Sequence, residues 1–129
     1  MNDTQIKQII NDTVATTVLQ LKAAGLLKDG TKSAYEKTEA LLWQYPELKK
    51  VDEPYARRVV QEVEACLADA AENPYIDVIR LYYFAGLKNA ACAQTLCCEE
   101  RTARRNRVAL VKQFSTRLAS DDFIRELLL

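Results

Sequence analysis

The chain has no histidine, and its 129 residues include only three glycines and three prolines. Without imidazole it lacks the side chain whose charge ordinarily changes near neutral pH, and with it the usual proton shuttle and the commonest zinc ligand. Scarce glycine and proline favour helix over strand along most of the sequence. No apolar run approaches the roughly 20 residues that cross a bilayer, so no membrane partner is expected. The opening MNDTQIKQII does not have the basic-then-apolar layout of a signal peptide. No glycine-rich phosphate loop occurs, and the paired acids sit at helix starts or on solvent faces. Neither an enzyme nor a cofactor is therefore expected.

Cysteine is present at Cys66, Cys92, Cys97 and Cys98, but without C-x-x-C spacing. Cys66 and Cys92 fall on apolar helical faces, where a free cysteine behaves as a small hydrophobe. Reduced thiols without metal or disulfide fit best, as in a cytoplasmic protein.

Alanine, leucine, glutamate, lysine, arginine and glutamine run throughout, and the length suits one domain's worth of core. The expected fold is all-α: a helical bundle ending in a helix-turn-helix. An N-terminal helical region, 1–73, would serve packing or oligomerisation, and 74–129 would hold the helix-turn-helix and a last helix. Asn2 or Asp3 can cap a first helix. Its stripe runs through Ile6, Ile10, Val14, Val18 and Leu21, widened by Ile9 and Leu19, with Gly25 and Lys28–Asp29–Gly30 stopping it. That stripe suits either core packing or a dimer seam.

Thr31 or Ser33 opens a second helix, with Tyr35, Thr38, Leu41, Leu42 and Tyr45 inward; Pro46 is expected to end it. Trp43, off that stripe, should pack against a neighbouring helix. Pro54 starts a third helix reaching Asn73, with Glu62, Glu64, Asp69 and Glu72 towards water. Pro74 starts a fourth, PYIDVIRLYYFAG, apolar nearly all round and thus central. Ser120 or Asp121 caps a closing helix whose Phe123, Ile124, Leu127 and Leu128 need cover from the body or from a partner.

Zero net charge conceals an asymmetry. Residues 1–77 carry nine Lys/Arg against thirteen Asp/Glu, whereas 78–119 carry eight against two. The excess lies on Gly86–Gln113, where two helical patterns flank a break at Cys97–Cys98–Glu99. The first runs from Asn89 to Leu96 and hides Cys92, Ala93 and Leu96. In the second, starting at Glu99 or Glu100, a 100° step puts Arg101, Arg104, Arg105, Val108 and Lys112 on one side. Ala103, Leu110, Phe114 and Leu118 fall on the other, with Val111 flanking. A short helix, a turn and a longer basic helix suit the major groove of double-stranded DNA. Glu100 and Arg101 lie where such helices read bases, and Arg104 and Arg105 can pair with guanine or phosphate. Lys88, Asn89 and Lys112 suit the DNA backbone. Arg107 falls inside the apolar stripe and needs a partner such as Asp77 or Glu99, or an escape to the edge.

Arg80–Leu81–Tyr82 through Gly86–Leu87, then Ala93, Leu96, Thr102, Leu110 and Phe114, is similar to region 4 of bacterial sigma factors. Ser33–Ala34–Tyr35–Glu36–Lys37–Thr38–Glu39, Leu41–Leu42 and Tyr45–Pro46 resemble the front of the ArpU/RinA-type phage transcriptional regulators. Glu100–Arg101–Thr102 and Asp121–Asp122–Phe123–Ile124–Arg125–Glu126–Leu127 agree with that family. Cys97 stands where many helix-turn-helix turns have glycine. The resemblance implies control of late, packaging or lysis genes in prophages of Gram-positive bacteria. Expected partners are double-stranded DNA, a second copy of the chain and, in a sigma-like role, host RNA polymerase. The competing reading is a protein-interaction module: a polymerase-binding factor or a small packaging subunit.

Overall fold

The computed structural model describes residues 2–9, 25 and 30–128, and among them every regular element is helical. None of the helices described is long and apolar enough to cross a membrane. Residues 3–9 are helical and capped by Asn2, whose Oδ1 accepts from the Gln5 N–H at 2.8 Å while Gln5 Oε1 accepts from the Asn2 N–H at 2.9 Å. Gly25, expected as a stop, is itself helical. Ile10, Val14, Val18, Leu19, Leu21, Lys28 and Asp29 lie outside the described residues, as does the Leu128 side chain.

Helix α1, Ala34–Leu48, begins at Ser33, whose Oγ accepts from the Glu36 N–H at 3.1 Å in a reciprocal capping box. Pro46 does not end it. The helix continues through the proline to Leu48, which is completely buried in register with Leu41 and Tyr45. Burying a leucine returns about 2–3 kcal/mol, comparable with the roughly 3 kcal/mol that a proline inside a helix costs.

Helix α2, Pro54–Asp69, buries Ala56, Val59, Val63, Cys66 and Leu67, and it stops short of the expected Asn73 with Ala70 as its C-cap. Glu62 does not face open water as expected. Its side chain is 12% exposed and accepts from Arg58 Nη1 at 2.7 Å and from Arg117 Nε at 2.8 Å.

Instead of one fourth helix from Pro74, a short α3 spans Asp77–Ile79 and passes into a π-helical turn, Arg80–Phe84. The Ala85 N–H reaches back to the Arg80 carbonyl at 2.9 Å, and Gly86 closes the turn with φ +73°, a conformation that suits glycine. The wider turn points three consecutive rings in different directions, although Trp43 meets both Tyr82 and Tyr83. Tyr83 enters the core, Tyr82 lies against Trp43 at 5.3 Å between centroids, and Phe84 stacks on Tyr45 at 4.3 Å. Trp43 thus packs on a neighbouring element, as its position suggested, yet stays 47% exposed.

Helix α4, Asn89–Thr95, and helix α5, Glu100–Leu118, follow. Helix α6, Asp121–Leu128, is capped by Ser120, whose Oγ accepts from the Phe123 N–H at 3.2 Å. It packs on the body: Phe123 and Leu127 are buried, and Glu126 takes both Nε and Nη2 of Arg58 at 2.6 and 3.3 Å. The core runs from Leu41 to Leu127 and draws on both sides of position 73. Helix α5 is its hub, lying against α1, α2, α3, α4 and α6.

Candidate nucleic-acid interface

The interface is built outward from α4. Lys88, in extended conformation, precedes the helix, and Cys92 and Ala93 bury its inner face. Leu96 caps its end, and Cys97 then takes φ +55°, the one non-glycine in the left-handed region among the described residues. The Cys98 N–H bonds to the Ala93 carbonyl at 3.0 Å and the Cys97 N–H to Gln94 at 3.3 Å. That pairing is a Schellman motif, which satisfies the last carbonyls of α4 and reverses the chain. The Cys98 side chain, half-buried, packs on the core, as the residue after a left-handed cap commonly does. Cys97 is exposed.

Glu99 then begins α5 in extended conformation without a side-chain cap. Over its 19 residues the helix buries Ala103, Arg107, Leu110, Val111, Phe114 and Leu118. The apolar face agrees with the sequence reading except that Val111 is a full member, with no exposed surface. On the opposite side Glu100, Arg101, Arg104, Arg105 and Lys112 are all exposed, as is Lys88. Asn89 is half-buried at the first position of α4, and Val108 is half-buried between the arginines and Lys112.

Most of the described cations away from this face are paired, although Lys7, Lys37 and Arg125 stand in no ion pair among the described residues. Lys32, Lys49, Lys50, Arg57, Arg58, Arg80 and Arg117 all lie against acids on the body, at positions including Asp52, Glu62 and Asp69. No ion pair among the described residues holds Lys88, Arg101, Arg104, Arg105 or Lys112. Their charge stands open to solvent and to polyanions.

Arg107, also on α5, is 6% exposed and out of reach of any phosphate. Neither suggested acid holds it: Asp77 pairs with Arg80 at 2.9 Å. Its Nη1 instead donates to the Tyr83 hydroxyl at 3.1 Å and lies 3.7 Å from Glu39 Oε2. The guanidinium carbon sits 3.9 Å from the centre of the Tyr82 ring. The Tyr83 hydroxyl in turn donates to Glu39 Oε2 at 2.6 Å. Burial, and then that bond, push the Tyr83 phenol far above its ordinary value, so it remains a donor at any ordinary pH. This cluster joins α1, the π-turn and α5 behind the arginine face. The sequence placed Arg107 on the buried side but did not pair it with Glu39 or Tyr83, which lie far off in the chain.

No family model matches this chain, and neither a curated protein nor a solved structure matches it significantly.

Proposed function

We propose that the chain is a sequence-specific DNA-binding transcriptional regulator in which α4, the Cys97 turn and α5 act as a helix-turn-helix. The observation that carries this reading is the outer face of α5. Arg101, Arg104, Arg105 and Lys112 are exposed there without an acid partner, on a helix whose reverse side is anchored in the core. Arg58 and Arg117, by contrast, are engaged by the body's carboxylates. On the outer face the arginines are left available for guanine edges and phosphates. Glu100 and Arg101, in the first turn, are assigned to bases, and Lys88, Asn89 and Lys112 to the backbone.

The ArpU/RinA and sigma region 4 resemblances give this reading its biological form: a prophage-encoded factor for late, packaging or lysis genes, acting near host RNA polymerase. Double-stranded DNA is the partner on which the reading stands or falls. Fragments retained from a random duplex pool should share a motif, and their affinity should drop steeply with salt. With Arg101 on a base, the four remaining cations (Lys88, Arg104, Arg105 and Lys112) give a log–log slope of up to about −3.6. Retained fragments without a common motif, or affinity indifferent to salt, would refute the reading.

A further inference from the structure

We propose that the adjacent thiols of Cys97 and Cys98 form an oxidation site, and that its state controls use of the basic face of α5; the second part rests on the DNA-binding reading above. Burial sets the other two cysteines aside. Cys66 is 2% exposed, and burial pushes its thiol up to about 11. Cys92 is completely buried, its thiol also raised by burial, and its Sγ lies 3.8 Å from the Leu87 carbonyl oxygen. A thiol is nucleophilic only as thiolate and only where a reagent can reach it. Cys97, exposed in the turn, meets the second condition, and a second thiol follows it directly.

The step needs an oxidant, here a low-molecular-weight disulfide. The Cys97 thiolate attacks one of its sulfurs, the S–S bond breaks, and one thiol leaves with a proton. The product is a mixed disulfide at Cys97. The Cys98 thiolate then attacks the Cys97 sulfur, expels the second thiol and closes a ring across a single peptide bond. Two electrons pass from the cysteine pair to the reagent, which leaves as two thiols.

Ring closure conflicts with the turn as it stands. A disulfide requires the two Cβ atoms to face one another within about 4.5 Å and the sulfurs to bond at about 2.05 Å. In the reduced turn the Cys97 side chain is in solvent, whereas that of Cys98 packs on the core. Bonding them draws Cys98 off the core or turns Cys97 inward. Either movement strains the Cys98–Ala93 and Cys97–Gln94 hydrogen bonds that set the angle between α4 and α5. Glu100 and Arg101 begin α5 immediately beyond, so the base-reading end shifts first.

The test treats the reduced full-length chain with oxidised glutathione and maps its peptides by mass spectrometry. The same samples are titrated with a duplex selected from a random pool by the reduced chain. Oxidation should be confined to Cys97 and Cys98, with wild type ending as the internal disulfide. Cys98→Ser should stop at the glutathione adduct on Cys97. Cys97→Asn, which keeps a residue tolerant of the left-handed turn, should take up no glutathione. Wild-type affinity for the duplex should fall at least about tenfold on oxidation and return with dithiothreitol. Cys97→Asn should bind equally well under both conditions. Modification at Cys66 or Cys92 ahead of the turn, or no modification at Cys97, would overturn the oxidation site. Oxidised wild type binding as tightly as reduced would overturn the control. If the reduced chain retains no duplex, the DNA-binding reading and the control fall together, and the peptide map decides the thiol site alone.

Discussion

A guanidinium in the middle of a helical core is tolerable only when its partners are as fixed as it is, and Arg107 shows what that requires. Glu39 and the Tyr83 hydroxyl supply polar contacts at 3.7 and 3.1 Å, and the Tyr82 ring covers the cation's face at 3.9 Å. One buried atom, Nε, has no hydrogen-bond partner. The arrangement predicts an asymmetry between its two ends. Removing the carboxylate with Glu39→Ala leaves a buried cation uncompensated, which should cost about 3 kcal/mol in urea denaturation. Arg107→Met fills similar volume without charge, and Glu39, 26% exposed, can turn to water. That variant should cost no more than about half as much. Equal costs for the two would mean that the carboxylate does not hold the cation. Cys97 is the other residue under local stress. Its φ of +55° costs an L-residue about 1 kcal/mol or more, so Cys97→Gly should raise the unfolding free energy by up to about 1 kcal/mol.

At the scale of the element, α5 has two separable faces, and substitutions should sort accordingly. Arg104→Ala with Arg105→Ala removes two exposed, unpaired charges, so thermal melting should stay near wild type. DNA affinity should collapse, with the salt slope smaller by about 2. Equal loss of fold and binding would undo the assignment of that face. The docking of α2 on α5 and α6 carries a pH signature through Glu62. Burial pushes its carboxyl up, but the hydrogen bonds from Arg58 and Arg117 outweigh this and hold it below the usual carboxylate range. A depressed carboxylate stabilises the fold above its unfolded value of about 4.3, and that contribution is lost as pH falls through the folded value. Glu62→Gln should therefore be less stable than wild type by about 1–2 kcal/mol at pH 7, and the gap should close below roughly pH 4. A gap unchanged across that range would show that the charge is immaterial. Periodicity made most of this element legible: the inner stripe of α5 and the outward arginines follow from a 100° step, and the gap between two such patterns marks the break at Cys97–Cys98–Glu99. The π-turn was not legible, because a segment apolar on every side has no phase from which an extra residue per turn could be read. Nor were the partners of Arg107 and Glu62, since ion pairs between helices depend on tertiary distances that no local spacing encodes. Pro46 misled because a local cost was weighed without the burial of Leu48 that offsets it.

At the scale of the whole chain, net charge is zero, yet the charge is sorted. Most of the described cations of the body are paired internally and the body keeps an acidic excess, while the unpaired cations on the outer face of α5 stand together on one surface. The acidic body is repelled by a polyanion and the ridge attracted, so the field orients the chain before contact. On the proposed function, one reading helix with four exposed cations and Lys88 beside it would offer limited affinity, and small readers commonly gain more by pairing two copies on half-sites about one helical turn apart. Ile6 and Ile9 are 42% and 51% exposed on the capped N-terminal helix, apolar surface that a second copy of the chain would cover. Light scattering of the full chain at micromolar concentration, without DNA, should accordingly give a dimer. Ile6→Asp with Ile9→Asp should return the monomer and weaken duplex binding at least about tenfold while leaving the salt slope per chain unchanged. A monomeric wild type, or a double variant that still dimerises, would remove the N-terminal helix from the interface and leave each chain to read DNA with one helix alone.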